Sequence, residues 1–200
     1  CPRLFRIVHV DKQAFPFGAR ARAFGNALHA AIAAYERSRR SPDAALEELA
    51  RSGARLTPCD LEEARAIVWW RHDARRLSVA RPTLIEGPLA TSIGGRYLGA
   101  RLDRLERVGE ELHLVEMKTG LRVDPELVRV QTAILACAVW RVFETLPSEW
   151  TLEDLRARRF VRLEAEHDPA ALGDFVQSLG RRMAIGDYEP APYRPDLCKR

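Results

Sequence analysis

Apolar positions change their period twice along this chain. Over residues 20–39, Phe24, Leu28, Ile32 and Tyr35 recur at spacings of three and four among alanines and arginines, which predicts an amphipathic helix. Residues 43–51 and 60–77 read as two more helices, the second with Asp60 as its N-cap and Glu62 and Glu63 in its first turn. Together, residues 43–80 read as an inserted helical layer. After Pro82 the period shortens to two. Residues 89–93 form a strand, Gly94-Gly95 a hairpin turn, residues 96–107 a second strand, Gly109-Glu110 a second turn and residues 112–118 a third strand. The helical period then returns over residues 125–143, with Leu127, Val130, Ile134, Leu135, Ala138 and Val142 on one stripe that also carries Gln131. A short strand at 160–163, a helix at 169–185 and a proline-rich exit through Pro190, Pro192 and Pro195 complete the pattern. Helices, three strands, a helix and a strand describe an α/β domain with a mixed sheet.

Length and composition narrow the class without changing the fold. Two hundred residues, 46% hydrophobic and 30% charged, suit one globular domain spanning residues 1–200. The apolar run at 132–140 is broken by Arg141, far short of the ~20 residues a membrane helix needs. Cys1, Cys59, Cys137 and Cys198 are too few and scattered for a secreted disulfide framework, and no signal peptide precedes them, so the expected compartment is the cytoplasm. The absent initiator Met suggests a piece of a longer chain. Charge is uneven: the first forty residues carry eight basic and two acidic side chains, a net of +6 within a whole-chain net of +4. Such a stretch suits a phosphate-backbone partner or a solvated helix face.

The sharpest chemical signal lies on the second hairpin. If Gly109-Glu110 is a type II′ loop, Val108 faces Glu111, and counting back places Asp103 opposite Glu116. Two carboxylates side by side repel unless a cation stands between them, and a divalent metal with oxygen ligands fits; otherwise one acid leans into solvent. Alternation puts Lys118 on the face of Glu116. Only three lysines stand against 29 arginines here, and Glu116-Met117-Lys118 is the one acid-x-Lys, so this ammonium reads as chosen for chemistry that a permanently charged guanidinium does not perform. Gln131, on an apolar stripe, needs a hydrogen-bond partner, structural or functional. Trp69-Trp70 reads as one core and one boundary residue, with base stacking the alternative. No P-loop, dinucleotide fingerprint, His-Glu-x-x-His or Cys-x-x-Cys is present.

Glu116-Met117-Lys118-Thr119-Gly120 after an apolar strand, with Arg101-Leu102-Asp103-Arg104 one strand earlier, resembles the PD-(D/E)XK nuclease superfamily. Gly25-Asn26-Ala27-Leu28-His29 and the helix carrying Gln131 extend the likeness to its RecB/AddB-like branch, which includes the iron-sulfur exonucleases of CRISPR systems. The resemblance implies a restriction-endonuclease-like core, with a mixed central sheet flanked by helices. It implies a Mg²⁺- or Mn²⁺-dependent deoxyribonuclease, an exonuclease on single-stranded DNA ends acting in repair, recombination or CRISPR adaptation. Its partners would be a helicase or CRISPR adaptation proteins. Asp103 and Glu116, the Met117 backbone carbonyl and His29 would hold the metal; without the motif, His29 would read as a core histidine. Lys118 would position the attacking water, and Gln131 would orient Lys118 or the substrate.

Two departures stand out. Leu135 occupies the place of the tyrosine four residues after Gln131, and Ala100 replaces the glycine three before Asp103, with Gly99 beside it. The first raises a rival of another class, a nucleic-acid-binding module of the same fold that has lost turnover. Cys1 and Cys198 resemble the first two of the four cysteines that hold a [4Fe-4S] cluster in that branch, which predicts chain ends close together and poor iron binding by these 200 residues alone. Cys59 reads as a loop residue and Cys137 as a small core residue.

Overall fold

The computed structural model describes residues 19–38, 41–52, 56–120 and 125–185. One five-stranded sheet runs in the order β1 (Arg81–Ile93), β2 (Arg96–Val108), β3 (Glu111–Lys118), β4 (Glu149–Asp154) and β5 (Arg159–Leu163). Every neighbouring pair is antiparallel except β3 and β4. That parallel pair requires a crossover, and α4 (Pro125–Phe143) supplies it. Both glycine-bearing turns form where the sequence places them. Gly94 and Gly95 both have positive φ, whereas at the second turn only Gly109 does, as a II′ loop demands.

Two helical layers sandwich the sheet. On one face, α4 and α5 (Pro169–Ala184) bury Leu135, Ala138, Leu172 and Val176 against Leu89, Leu102, Leu105, Leu112 and Leu114. On the other, α1 (Ala19–Ser38), α2 (Pro42–Arg51) and α3 (Pro58–Leu77) enclose Phe24, Leu28, Ile32, Leu49 and Ile67 around Met117 and Leu155. A buried ion network ties this layer to the strands. Arg71 of α3 pairs with Glu36 of α1 at 2.8 Å and with Glu153 of β4 at 3.0 Å. Arg104 of β2 meets Glu36 at 3.1 Å, Glu153 at 2.5 Å and Glu106 at 2.8 Å. The network fixes α1 over the sheet and so sets where its side chains arrive.

Several sequence expectations are corrected. β4 escapes the sequence reading, which has one strand after α4, because Leu146 to Trp150 offers little alternation before a short, largely buried strand. β1 begins eight residues earlier than read, since Pro82 suits an edge strand as well as a strand start. The N-cap of α3 is Thr57; Asp60 is the third helical residue and completes a capping box, its side chain accepting from the Thr57 amide at 2.7 Å. Cys59 lies exposed in that first turn and not in a loop. The buried stripe of α4 is rotated: Val128, Leu135, Ala136, Cys137, Ala138 and Val139 are inside, while Val130 and Val142 are exposed. A helix buried through its middle has too wide an apolar band for spacing alone to fix its rotation. Trp69 is exposed, and Trp70 packs on Phe160 at the margin of the core. Cys1 and Cys198 lie outside the described residues.

Candidate metal centre

Beyond a register shift between Pro82 and Leu84, the alternation of β1 and β2 breaks at Glu86 and Asp103, and the chemistry gathers there. Leu102 and Leu105 are three residues apart, yet both join the α4 side of the core. Between them, Arg104 points into the ion network on the other side. In β1, Glu86 has φ of 46°, in the left-handed region that non-glycine residues seldom occupy. Ile85 pairs with Arg104 and Gly87 with Leu102, so Glu86 stands opposite Asp103 at this kink. Strained backbone of this kind persists where the surroundings over-determine it, commonly at functional sites.

Helix α1 completes the cluster. A Cβ at Gly25 would sit 2.6 Å from the Thr119 hydroxyl just beyond β3, so a side chain there would push that hydroxyl aside or the helix outward. One turn later, His29 Nδ1 lies 3.3 Å from Glu86 Oε1 and 3.4 Å from Asp103 Oδ1. Burial works against a charged imidazole, yet the hydrogen bonds and charges of Asp103 and Glu86 outweigh it and push the His29 pKa up to about 9. Ligand atoms of His29, Glu86 and Asp103 all lie within 4.8 Å of one another. One imidazole nitrogen and two carboxylates form a mixed donor set suited to Mn²⁺ or Mg²⁺.

The predicted register holds from Val108–Glu111 to Arg104–Val115, where the β2–β3 pairing ends. Instead of completing the next pair, Asp103 accepts a hydrogen bond from the Met117 amide at 2.7 Å. Glu116 turns toward α4. Its Oε1 accepts from Gln131 Nε2 at 2.7 Å and from the Lys118 ammonium, and Lys118 in turn donates to Gln131 Oε1 at 2.9 Å. Glu116 is buried, with Oε2 lacking any hydrogen-bond partner. Burial first, then repulsion from Asp103, pushes its pKa up to about 7 despite Lys118. An orphaned buried carboxylate oxygen next to a His-Asp-Glu cluster is the donor chemistry a hard cation satisfies. The residues therefore fit a divalent metal.

Of the residues that sequence reasoning singles out, the structure places His29 and Asp103 in one cluster with Glu86, and Glu116, Lys118 and Gln131 in a second group joined by hydrogen bonds. Gln131 joins its group from an exposed position on α4 and not from its buried stripe. Glu86 escapes the sequence reading because β1 is there started at Leu89. Counting back from the Gly94-Gly95 turn, as from the second hairpin, reaches it opposite Asp103. Leu135 is packed in the apolar cluster under the sheet, so this position of α4 faces the core.

A mixed sheet between two helical layers, with acids, a histidine and a lysine gathered where its central strands part, has the layout of an α/β domain with a candidate metal centre at the sheet. The family model of the PD-(D/E)XK nuclease superfamily matches residues 1–200, and the chain belongs to that superfamily, whose members are divalent-metal-dependent nucleases. The solved structure of SSO0001 is similar at 15% identity with a TM-score of 0.37, covering 75% of this chain and 72% of that one. No curated protein sequence matches. Among the described residues no helix is long and apolar enough to cross a membrane.

Proposed function

We propose that this domain is a Mg²⁺- or Mn²⁺-dependent deoxyribonuclease that hydrolyses phosphodiesters from single-stranded DNA ends. The observation that carries the reading is the His29–Glu86–Asp103 cluster set beside the unpartnered oxygen of Glu116 and the tethered ammonium of Lys118. His29, Asp103, Glu116 and the Met117 carbonyl would hold the metal, and Glu86 would add a carboxylate that the motif alone does not supply. When bound, the cation supplies Lewis acidity toward a phosphoryl oxygen and favours a hydroxide nucleophile. Lys118, with its ammonium held by Glu116 and Gln131, orients the attacking water against the phosphorus. Gln131 acts through Lys118, fixing its position with one end of the amide while the other end holds Glu116.

The motifs Gly25-x-x-x-His29, Asp103, Glu116-x-Lys118 and Gln131 support the RecB/AddB-like branch, and with it a cytoplasmic role in repair, recombination or CRISPR adaptation beside a helicase or CRISPR adaptation proteins. By the same resemblance, Cys1 and Cys198 are two thiolates of a [4Fe-4S] cluster. Cys137 is fully buried and Cys59 sits on α3, so neither is placed to complete the set. Anaerobic reconstitution with iron and sulfide of a protein that carries two further cysteines after Cys198 tests this: thiolate-to-iron absorbance that is lost in Cys198→Ser supports the assignment, and no such absorbance removes it.

Incubation of purified protein with end-labelled single-stranded and duplex DNA, with and without Mn²⁺, tests the main reading. Metal-dependent shortening of single strands is the expected result. Stable binding without product points instead to the binding module of the same fold, the reading favoured by the burial of Leu135 where the branch carries a tyrosine. Hydrolysis of a chromogenic phosphate monoester with no action on DNA overturns both.

A further inference from the structure

The β1–β2 hairpin runs well past the metal centre, and among the described residues only one of its faces is covered. Leu89, Ile93, Leu98, Ala100 and Leu102 pack toward α4 and α5. On the other face the side chains of Pro88, Ala90 and Ser92 in β1 alternate with those positions and are exposed, as are Tyr97, Gly99 and Arg101 across from them in β2. No described helix lies over this stretch. The result is a shallow lane of small residues on a rigid two-stranded support. Continuing down β2, the same face reaches Asp103, where His29 and Glu86 converge.

Tyr97 is 79% exposed, unusual for a large aromatic side chain with an apolar ring. Its ring lies over Gly99. A Cβ at position 99 would stand 3.0 Å from one ring carbon and 3.4 Å from the hydroxyl oxygen, so the ring would have to give by a few tenths of an ångström, and more for a β-branched side chain. Arg101, next along the face, is 70% exposed and commits its Nε to Glu86 at 2.9 Å, one of five guanidinium donors.

We propose that this open face is a track for single-stranded nucleic acid, with a base stacked on Tyr97 and the backbone led past Arg101 into the metal centre. The inference rests on the nuclease reading and adds to it where the substrate strand lies. Three features favour a single strand over other occupants. The lane is continuous with the site where a phosphodiester would be cut. An aromatic face without neighbouring hydrogen-bonding demands suits any base. A guanidinium between that ring and the acids complements a phosphate. Six residues separate Tyr97 from Asp103, about 20 Å of strand, which is the reach of about six stacked nucleotides and fewer when the strand is extended. A dinucleotide at the metal centre does not reach the ring; a ten-nucleotide strand does.

The test is binding of fluorescein-labelled oligothymidylates of two and ten nucleotides, in EDTA to prevent cleavage and at fixed low salt. Tyr97→Ala is expected to weaken the ten-nucleotide strand about tenfold and leave the dinucleotide unchanged. Tyr97→Phe and Tyr97→Trp are expected to bind the long strand as the parent does. Gly99→Val, with Tyr97 still present, is expected to reproduce most of the loss, with circular dichroism and melting confirming a folded protein for each variant. Equal affinity of parent and Tyr97→Ala for the ten-nucleotide strand overturns the track. If that equality accompanies metal-dependent cleavage, the nuclease reading stands alone. Conversely, Tyr97-dependent binding by a protein that cleaves nothing keeps the track and removes the nuclease. A parent protein that binds neither oligonucleotide overturns the track, and cleavage with Mn²⁺ then decides the nuclease reading separately.

Discussion

At Glu116 the chain holds an acid whose charge is disfavoured first by burial and then by the neighbouring Asp103. A carboxyl whose pKa is about 7 in the folded state, above its ordinary value, binds its proton more tightly folded than unfolded. Its stabilising contribution is therefore fully present below the ordinary carboxylate range and is lost as pH rises through about 7. Without metal, the melting temperature of the parent should fall across that window, and Glu116→Gln should flatten the fall and melt higher near neutrality. With Mn²⁺ the order reverses: Asp103→Asn and Glu116→Gln should lose metal affinity in calorimetric titration and lose cleavage. Unchanged affinity in both variants would remove the metal centre. Lys118 makes a different demand. Its ammonium reaches two acceptors from a strand position, a geometry that a branched planar guanidinium does not reproduce. Lys118→Arg should therefore cleave nearly as slowly as Lys118→Ala in a single-turnover assay. Recovery of most of the rate in the arginine variant would make the residue a simple charge clamp.

Among the elements, α3 and its contacts carry the clearest energetics. Thr57 and Asp60 close its N-terminus reciprocally, and Arg20 of α1 reaches both at 2.8 and 2.9 Å, tying the starts of two helices together. The amide and hydroxyl of Thr57, with Arg20, hold the Asp60 pKa down at about 2. A depressed carboxyl stabilises the fold above its ordinary range, and the contribution disappears as pH falls through about 2. Thr57→Ala should cost about 1 kcal/mol in chemical denaturation near neutrality, the usual worth of an N-cap, and less in strong acid. Arg104 is the heavier element-to-element link. Burial opposes its charge, but Glu153, Glu36 and Glu106 outweigh burial and raise its pKa further. Arg104→Met leaves Glu36 and Glu153 buried with fewer partners, a change that costs about 3–5 kcal/mol when one side of a buried pair is removed. The same denaturation measurement checks it. Because the network fixes α1, the variant is expected to weaken Mn²⁺ binding through His29 even where it still folds.

On the scale of the whole molecule, the metal couples the two sides of the kink. His29 arrives on α1, Glu86 and Asp103 on the first two strands, and Glu116 on the third beside Gln131 from the crossover helix. A cation binding only this assembled set stabilises the fold by mass action, about 2.7 kcal/mol at one hundred times its dissociation constant. Addition of Mn²⁺ should raise the melting temperature with concentration, and EDTA should return it to the metal-free value; a constant midpoint would mean that the acids bind no cation in the folded state. The sequence by itself determined the hairpin turns, α4 as a helix packed on the sheet and the strand or helix on which Asp103, Glu116, Lys118 and Gln131 stand, because turn glycines, period-two strands and short spacings are local properties of the chain. It also determined His29, through the glycine one turn before it. Tertiary structure alone decided the rest. The rotation of α4, the burial of Arg71 and Arg104, and the short strand β4 depend on neighbours far along the chain. So does the slip in alternation at Glu86 and Asp103, which turns Asp103 to His29 and Glu116 to Gln131, since a strand's faces follow a period of two only until packing on both sides bends it.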